Sequence, residues 1–389
     1  MLIRRIWICM VFFILLAAFG SAAIAYELSN EEKLGKNLFF DKNLSDPAGQ
    51  ACAACHAPEV GWTGPETKIN AHGAVYEGAV DGRFGNRKPP ASAYAGDSPI
   101  LDNSTGIWIG GMFWDGRATG LTLGDPLAEQ AQGPFLNPLE QNNPDASAVV
   151  NKVKASSYAM LFYDICNTGL TDAQYYECIA RSIAAYERSA EVTSFTSKYD
   201  YYLKGNAALT SKEKRGLQLF EGKGKCNLCH VSTGEKPLFT DFTYDNLGVP
   251  RNPKNPFYNE PIYNPIGTAW VDKGLGGFLK SAGYPSSVYE PEFGKMKVPT
   301  LRNVDKRPYP GFVKAYGHNG YFKSLEEIVH FYNTRDVPGA GWKGKSWPPA
   351  EVSDNVNQNE LGNLNLTRQE ESDIVEFLKT LSDGYKPKK

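Results

Sequence analysis

Apolar residues recur every three or four positions in five stretches of the chain, and each stretch opens with Ser or Thr followed three residues later by Glu or Gln. The pairs are Ser29 with Glu32, Thr171 with Gln174, Thr210 with Glu213, Ser324 with Glu327, and Thr367 with Glu370. Such a box caps a helix start twice, because the hydroxyl accepts an N–H of the first turn while the acid or amide reaches back to the capping residue. Amphipathic helices are therefore predicted behind each pair, the longest over TDAQYYECIARSIAAYERS (Thr171 to Ser189). The stretch from Pro250 to Pro291 is rich in Pro, Asn, Gly and Tyr and follows neither period, so an ordered loop region is expected there. Alternating patterns are sparse, and the fold is expected to be mainly α.

Two of the five stretches echo one another. LSNEEKLGKNLFFDKNLSDPAGQACAACH (Leu28 to His56) and LTSKEKRGLQLFEGKGKCNLCH (Leu209 to His230) each run from a capping box through a Gly, a Leu-Phe pair and a turn-rich segment to C-x-x-C-H. Two homologous helical domains are the economical reading, spanning residues 26–205 and 206–389 with a boundary near Gly205.

The first 25 residues join two arginines, an apolar run and Ala23-Ile24-Ala25, which reads as a secretory signal peptide cleaved before Tyr26. An uncleaved anchor is the competing reading, since the apolar run is near the lower length limit for spanning a bilayer. No other segment approaches that length, so a protein exported to a bacterial periplasm, with no membrane span in its mature form, is expected. The chain has 41 basic and 43 acidic side chains, and two of the basic ones, Arg4 and Arg5, leave with the leader. A mildly negative balance argues against nucleic acid as a partner.

Cys52-Ala-Ala-Cys55-His56 and Cys226-Asn-Leu-Cys229-His230 carry the chemistry. On one turn of chain, two thiols can add across the vinyl groups of a haem while the next residue's imidazole becomes the proximal iron ligand. A structural zinc site would want four N or S ligands, and a redox dithiol has no need of the adjacent histidine. Two covalent haem c groups are therefore expected. Cys166 and Cys178 remain, either as a disulfide or as two buried thiols.

With these motifs, MFWDGRA (Met112 to Ala118), LAEQAQGPFLNPLE (Leu127 to Glu140), SIAAYERS, KYDYYLKGN, KVPTLRNV and GHNGYFKSLEEIV make the chain similar to the bacterial diheme cytochrome c peroxidase family, which includes MauG. The resemblance covers nearly all of the mature chain. It implies two cytochrome c-like domains with one haem each: an N-terminal haem on His56, where hydrogen peroxide reacts, and a C-terminal haem on His230 that handles electrons. Glu140 then moves the peroxide proton, with Gln130 as its polar companion, and Trp114 relays electrons between the haems. His72, sixteen residues after His56, matches the removable distal ligand of some members. Without the resemblance, these side chains read as a solvated acid, a helix-surface amide, a core aromatic and a surface-loop histidine.

The helix SLEEIVHFYNTRD offers His330 and Tyr332 to the second iron, and two positions along a helix place them on different faces. Of Met112, Met160 and Met296, none sits where the family places a methionine ligand, and alignment on LEE-x-V puts Tyr332 there, as in MauG-like members. A phenolate would stabilise oxidised iron, whereas a buried Tyr with a satisfied hydroxyl is the plain alternative. Family members also hold an interdomain calcium through an Asn; here the aligned position is Lys88, with Asn86 nearby.

The expected activity is reduction of hydrogen peroxide through high-valent haem iron. The electrons come from residues of a protein substrate, as in MauG-like members, or from a small cytochrome c or cupredoxin, as in detoxifying peroxidases. A non-catalytic diheme electron-transfer cytochrome is the reading from another class. The resemblance also leaves room for a homodimer.

Overall fold

The computed structural model describes residues 26–387, so the expected signal peptide lies outside the described residues. Twelve α-helices carry the architecture: α1 (Asn30–Phe40), α2 (Thr67–Ala71), α3 (Pro126–Leu136), α4 (Ala146–Lys154), α5 (Ala159–Cys166), α6 (Asp172–Arg188), α7 (Lys198–Leu203), α8 (Ser211–Glu221), α9 (Gly274–Ser281), α10 (Ser286–Tyr289), α11 (Leu325–Thr334) and α12 (Arg368–Lys379). The strands among the described residues are a two-residue antiparallel pair, β1 (Tyr244–Asp245) on β2 (Met296–Lys297). No described helix is long and apolar enough to cross a membrane.

The mainly α expectation holds, and the two cytochrome c-like halves each have a core. Leu34, Leu38 and Phe39 of α1 pack with Ile179, Ile183 and Tyr186 of α6 in the first. Phe220 of α8 packs with Ile374, Phe377 and Leu378 of α12 in the second, which also takes in Tyr199 of α7. The repeated glycine explains why the echo runs through Gly35 and Gly216. A Cβ at Gly35 would overlap the Ser182 carbonyl of α6, and one at Gly216 would overlap the Asp373 carbonyl of α12. In both halves, glycine lets the helix before the haem motif cross its partner backbone to backbone.

Full capping boxes form at α1, α6, α8 and α12. At α11 half the box forms: Ser324 accepts the Glu327 N–H, but the Glu327 carboxylate turns to the Lys323 N–H at 2.7 Å. The expected loop region between Pro250 and Pro291 contains helices α9 and α10.

Cys166 and Cys178 form a disulfide, closing a loop of 12 residues between α5 and α6. On the chain-entropy account, such a loop contributes about 3 kcal/mol. The Cys178→Ser variant is accordingly expected to lose about that much unfolding free energy, read as a lowered denaturant midpoint with unchanged haem content.

The halves are tied by buried charge. Arg87 donates to both oxygens of Asp272, at 2.6 and 2.7 Å, and reaches Asp115 at 2.7 Å. The shared pairing holds Asp272 down at about 2 against the opposing effect of burial. Tyr94 of the first half donates to Asp383 near the C-terminus at 2.7 Å.

Candidate haem sites

In the first half, a 3-10 turn over Cys52–Ala54 follows α1 and presents both thiols and the imidazole. The His56 Nδ1 faces the Trp62 carbonyl at 3.3 Å, which leaves Nε2 for a metal. Burial lowers the imidazole to about 4, so it is neutral, as an iron ligand must be. The second half repeats this geometry. A turn over Cys226–Leu228 precedes His230, whose Nδ1 faces the Phe239 carbonyl at 2.8 Å.

The donor sets fit haem and not zinc. All four cysteines are free thiols. Among the described residues, the sole compact group of three His, Cys, Asp or Glu donors is Cys229 with Asp245 and Glu360, and neither histidine joins it. Those two carboxylates are bridged by the Asn357 amide, 2.7 Å from each. A large cavity beside Cys226, Cys229 and His230 is walled by Leu325, Val329, Leu361 and Leu378, apolar enough for a porphyrin face.

Glu140 follows α3, its backbone held by the Asn137 carbonyl at 2.9 Å and by the Ala79 N–H at 2.7 Å. Burial raises its carboxyl above the ordinary range, opposed by the charge of Arg117 and by Asn137, and its own charge adds to the burial that raises Cys52 and Cys55. The acid is thus placed beside the first attachment site. Gln130 lies partly exposed on α3, ten residues earlier.

His72 is exposed at the end of α2. Its ring nitrogen turns to the Lys68 carbonyl at 2.8 Å, while its own carbonyl takes the Lys323 ammonium of the second half at 2.8 Å. Three neighbours of the first site escaped the sequence reading. Gln141, buried, approaches Cys52 Sγ at 3.9 Å; Glu187 of α6 is pushed up to about 8 by burial; and Arg117 packs 3.7 Å over the Phe113 ring. Arg117 and Glu187 lie in motifs that the sequence does display, FWDGR and AAYERS.

Trp114 is buried between the halves and lines the cavity that reaches the second site. Its indole N–H donates to the Lys88 carbonyl at 2.8 Å, and its ring meets His318 edge-on at 6.4 Å. Helix α11 separates its two aromatics. His330 has both nitrogens engaged, by Glu371 at 2.8 Å and the Ala340 carbonyl at 2.7 Å. Tyr332 instead lines the cavity with Cys226, Cys229 and His230, and burial followed by those thiols raises its hydroxyl well above the ordinary value. Met160 is exposed, Met112 belongs to the first core, and Met296 lines the cavity with its methyl near Gly274.

The expected calcium ligands do not assemble. At the aligned position the Lys88 side chain is buried, its ammonium 3.0 Å from Thr63 Oγ1 and 2.9 Å from the Pro89 carbonyl. The Asn86 carbonyl is taken by the Asn255 amide at 2.9 Å. A calcium ion needs six or more oxygens free to approach it closely, and here a cation already sits among them.

The paired haem geometry has counterparts among known proteins. Residues 29–208 match the family model for di-haem cytochrome c peroxidase. The methylamine utilization protein MauG of Paracoccus denitrificans is 33% identical over 96% of this chain and 94% of its own. A cytochrome-c peroxidase of Denitromonas iodatirespirans is 28% identical over 90% of this chain and 80% of its own. The crystal structure of the diheme peroxidase BthA from Burkholderia thailandensis superposes with a TM-score of 0.76 at 31% identity, covering 93% of this chain and 88% of that one. With likeness running over nearly the whole chain, the chain belongs to the di-haem cytochrome c peroxidase family and is a diheme peroxidase that carries two c-type haems.

Proposed function

We propose that this peroxidase is of the MauG-like subtype, exported to the periplasm, and that it passes the oxidising power of hydrogen peroxide to residues of a partner protein. The observation that carries the reading is Tyr332, whose phenol lines the second haem cavity while His330, its competitor, is fully hydrogen-bonded elsewhere. When bound, haem supplies iron centres able to take up two oxidising equivalents from peroxide.

The chain's own groups supply the rest. Glu140, in its desolvating surroundings, takes a proton from one peroxide oxygen and returns it to the other, so that the leaving oxygen departs as water. Gln130 orients peroxide or water from α3. Trp114, fixed by the Lys88 carbonyl, shortens the electron path between the halves. Tyr332 offers a hard anionic oxygen to the second iron, which favours its oxidised form over ready electron uptake.

Peroxide added to the diferric holoprotein, followed by optical, EPR and Mössbauer spectroscopy, tests this. A long-lived two-electron-oxidised protein formed without prior reduction is the expected result. If the protein stays inert until one haem is reduced, the second reading stands instead: a detoxifying peroxidase fed by a small cytochrome c or cupredoxin, with His72 as a removable ligand. His72 sits on a segment held to the second half through Lys323, a place from which such a movement could be controlled.

A further inference from the structure

Two lysines without carboxylate partners among the described residues, Lys88 and Lys314, are buried where the halves meet. The Lys314 ammonium donates to the carbonyls of Val60 at 2.8 Å, Asn303 at 2.6 Å and Lys306 at 3.3 Å. Val60 precedes Trp62, whose carbonyl orients His56, whereas Asn303 and Lys306 belong to the second half. One ammonium therefore joins the proximal loop of the first haem to the other domain. Three acceptors match the three protons of –NH3+, where a neutral amine would have two.

Lys88 holds the second position. Its ammonium bonds Thr63 and Pro89, its N–H donates to the His318 carbonyl at 2.8 Å, and its carbonyl receives Trp114. Burial, and then the charge of Lys88, push the Lys314 ammonium well below its ordinary value, while its three carbonyl acceptors and the charge of Asp305, itself engaged by Arg307 at 3.0 Å, act to keep the proton on. A divalent ion entering here would find its carbonyl ligands already taken by N–H donors and would be repelled by whichever of the two amines carries its proton. Gly61, at φ +77°, keeps the loop tight, since a Cβ there would come within 3.3 Å of Lys314 Nζ.

We propose that the Lys88 and Lys314 ammonium groups are the resident cations of this interdomain seam, and that they do the structural work of a divalent metal without binding one. The inference goes beyond the MauG-like reading and stands whether or not Tyr332 binds iron. Its test uses the holoprotein passed through calcium-free gel filtration. Elemental analysis is expected to find far less than one calcium per chain, and neither EGTA nor added calcium chloride should move the melting temperature. Lys314→Met and Lys88→Met should each lower it by roughly 5 °C or more, because buried carbonyls lose their donors. One tightly held calcium per chain, or a drop in melting temperature with EGTA, would overturn the proposal. It would fall equally if both variants melted like the parent; should a variant fail to fold, the calcium measurements on the parent protein still decide.

Discussion

Replacing Glu140 with Gln is expected to slow the reaction of the diferric holoprotein with hydrogen peroxide by about 10²- to 10⁴-fold, the usual loss when a positioned acid–base group is removed. The amide keeps the shape and polarity of the carboxyl but cannot accept a proton from one oxygen and deliver it to the other. Stopped-flow measurement of the second-order rate constant reads the effect, with haem content and the EPR signal of the second haem as controls. The pH dependence has a definite sign. Burial raises the Glu140 carboxyl, so the proton-accepting carboxylate predominates only above a value higher than that of an exposed Glu. The rate should fall as pH drops through that value, and the limb should vanish in Glu140→Gln. Arg117 opposes the shift, so Arg117→Met should move the limb to higher pH. A Glu140→Gln rate within threefold of the parent would remove Glu140 from the proton path.

Much of this arrangement was legible in the sequence because the signals are local. Four capping boxes announced α1, α6, α8 and α12, and the two echoed glycines marked the backbone crossings that give each half its shape. The box at Ser197 and Asp200 escaped notice because Asp, not Glu, closes it, and that same Asp200 is bound by the fully buried Arg302 at 2.7 and 2.8 Å. Helix α9 was hidden by its composition. GLGGFLKS has weak helix propensity, yet Gly276 lets it lie against the backbone of Tyr289 and Phe293, a tertiary gain invisible from local pattern. Haem attachment was readable because its chemistry demands five adjacent residues. Lys314 was not, because its three acceptors come from residues 60, 303 and 306, and nothing in KAYGHNG tells that its lysine is buried.

The second large effect is expected from Tyr332→Phe, which should abolish the low-spin EPR signal of the C-terminal haem and raise that haem's reduction potential. On α11, the two-residue offset sends His330 into a pocket closed by Glu371, Trp342 and Trp347, while Tyr332 faces the haem-attaching cysteines. In this setting burial and the charge of Asp245 disfavour a phenolate. The phenol would ionise only with a strong positive charge at its oxygen, which a ferric ion supplies. Removing the hydroxyl should therefore cost the ligand but little of the fold, since the ring stays packed beside Phe331. Peroxide should still react at the first haem at close to the parent rate, because Glu140 is untouched. The two-electron-oxidised protein should decay at least about tenfold faster, a 1.4 kcal/mol loss of stabilisation. This combination, normal formation with rapid decay, separates a ligand that stores oxidising power from a residue that only packs. An unchanged EPR spectrum and lifetime would leave Tyr332 a buried aromatic and turn attention to Met296 across the same cavity.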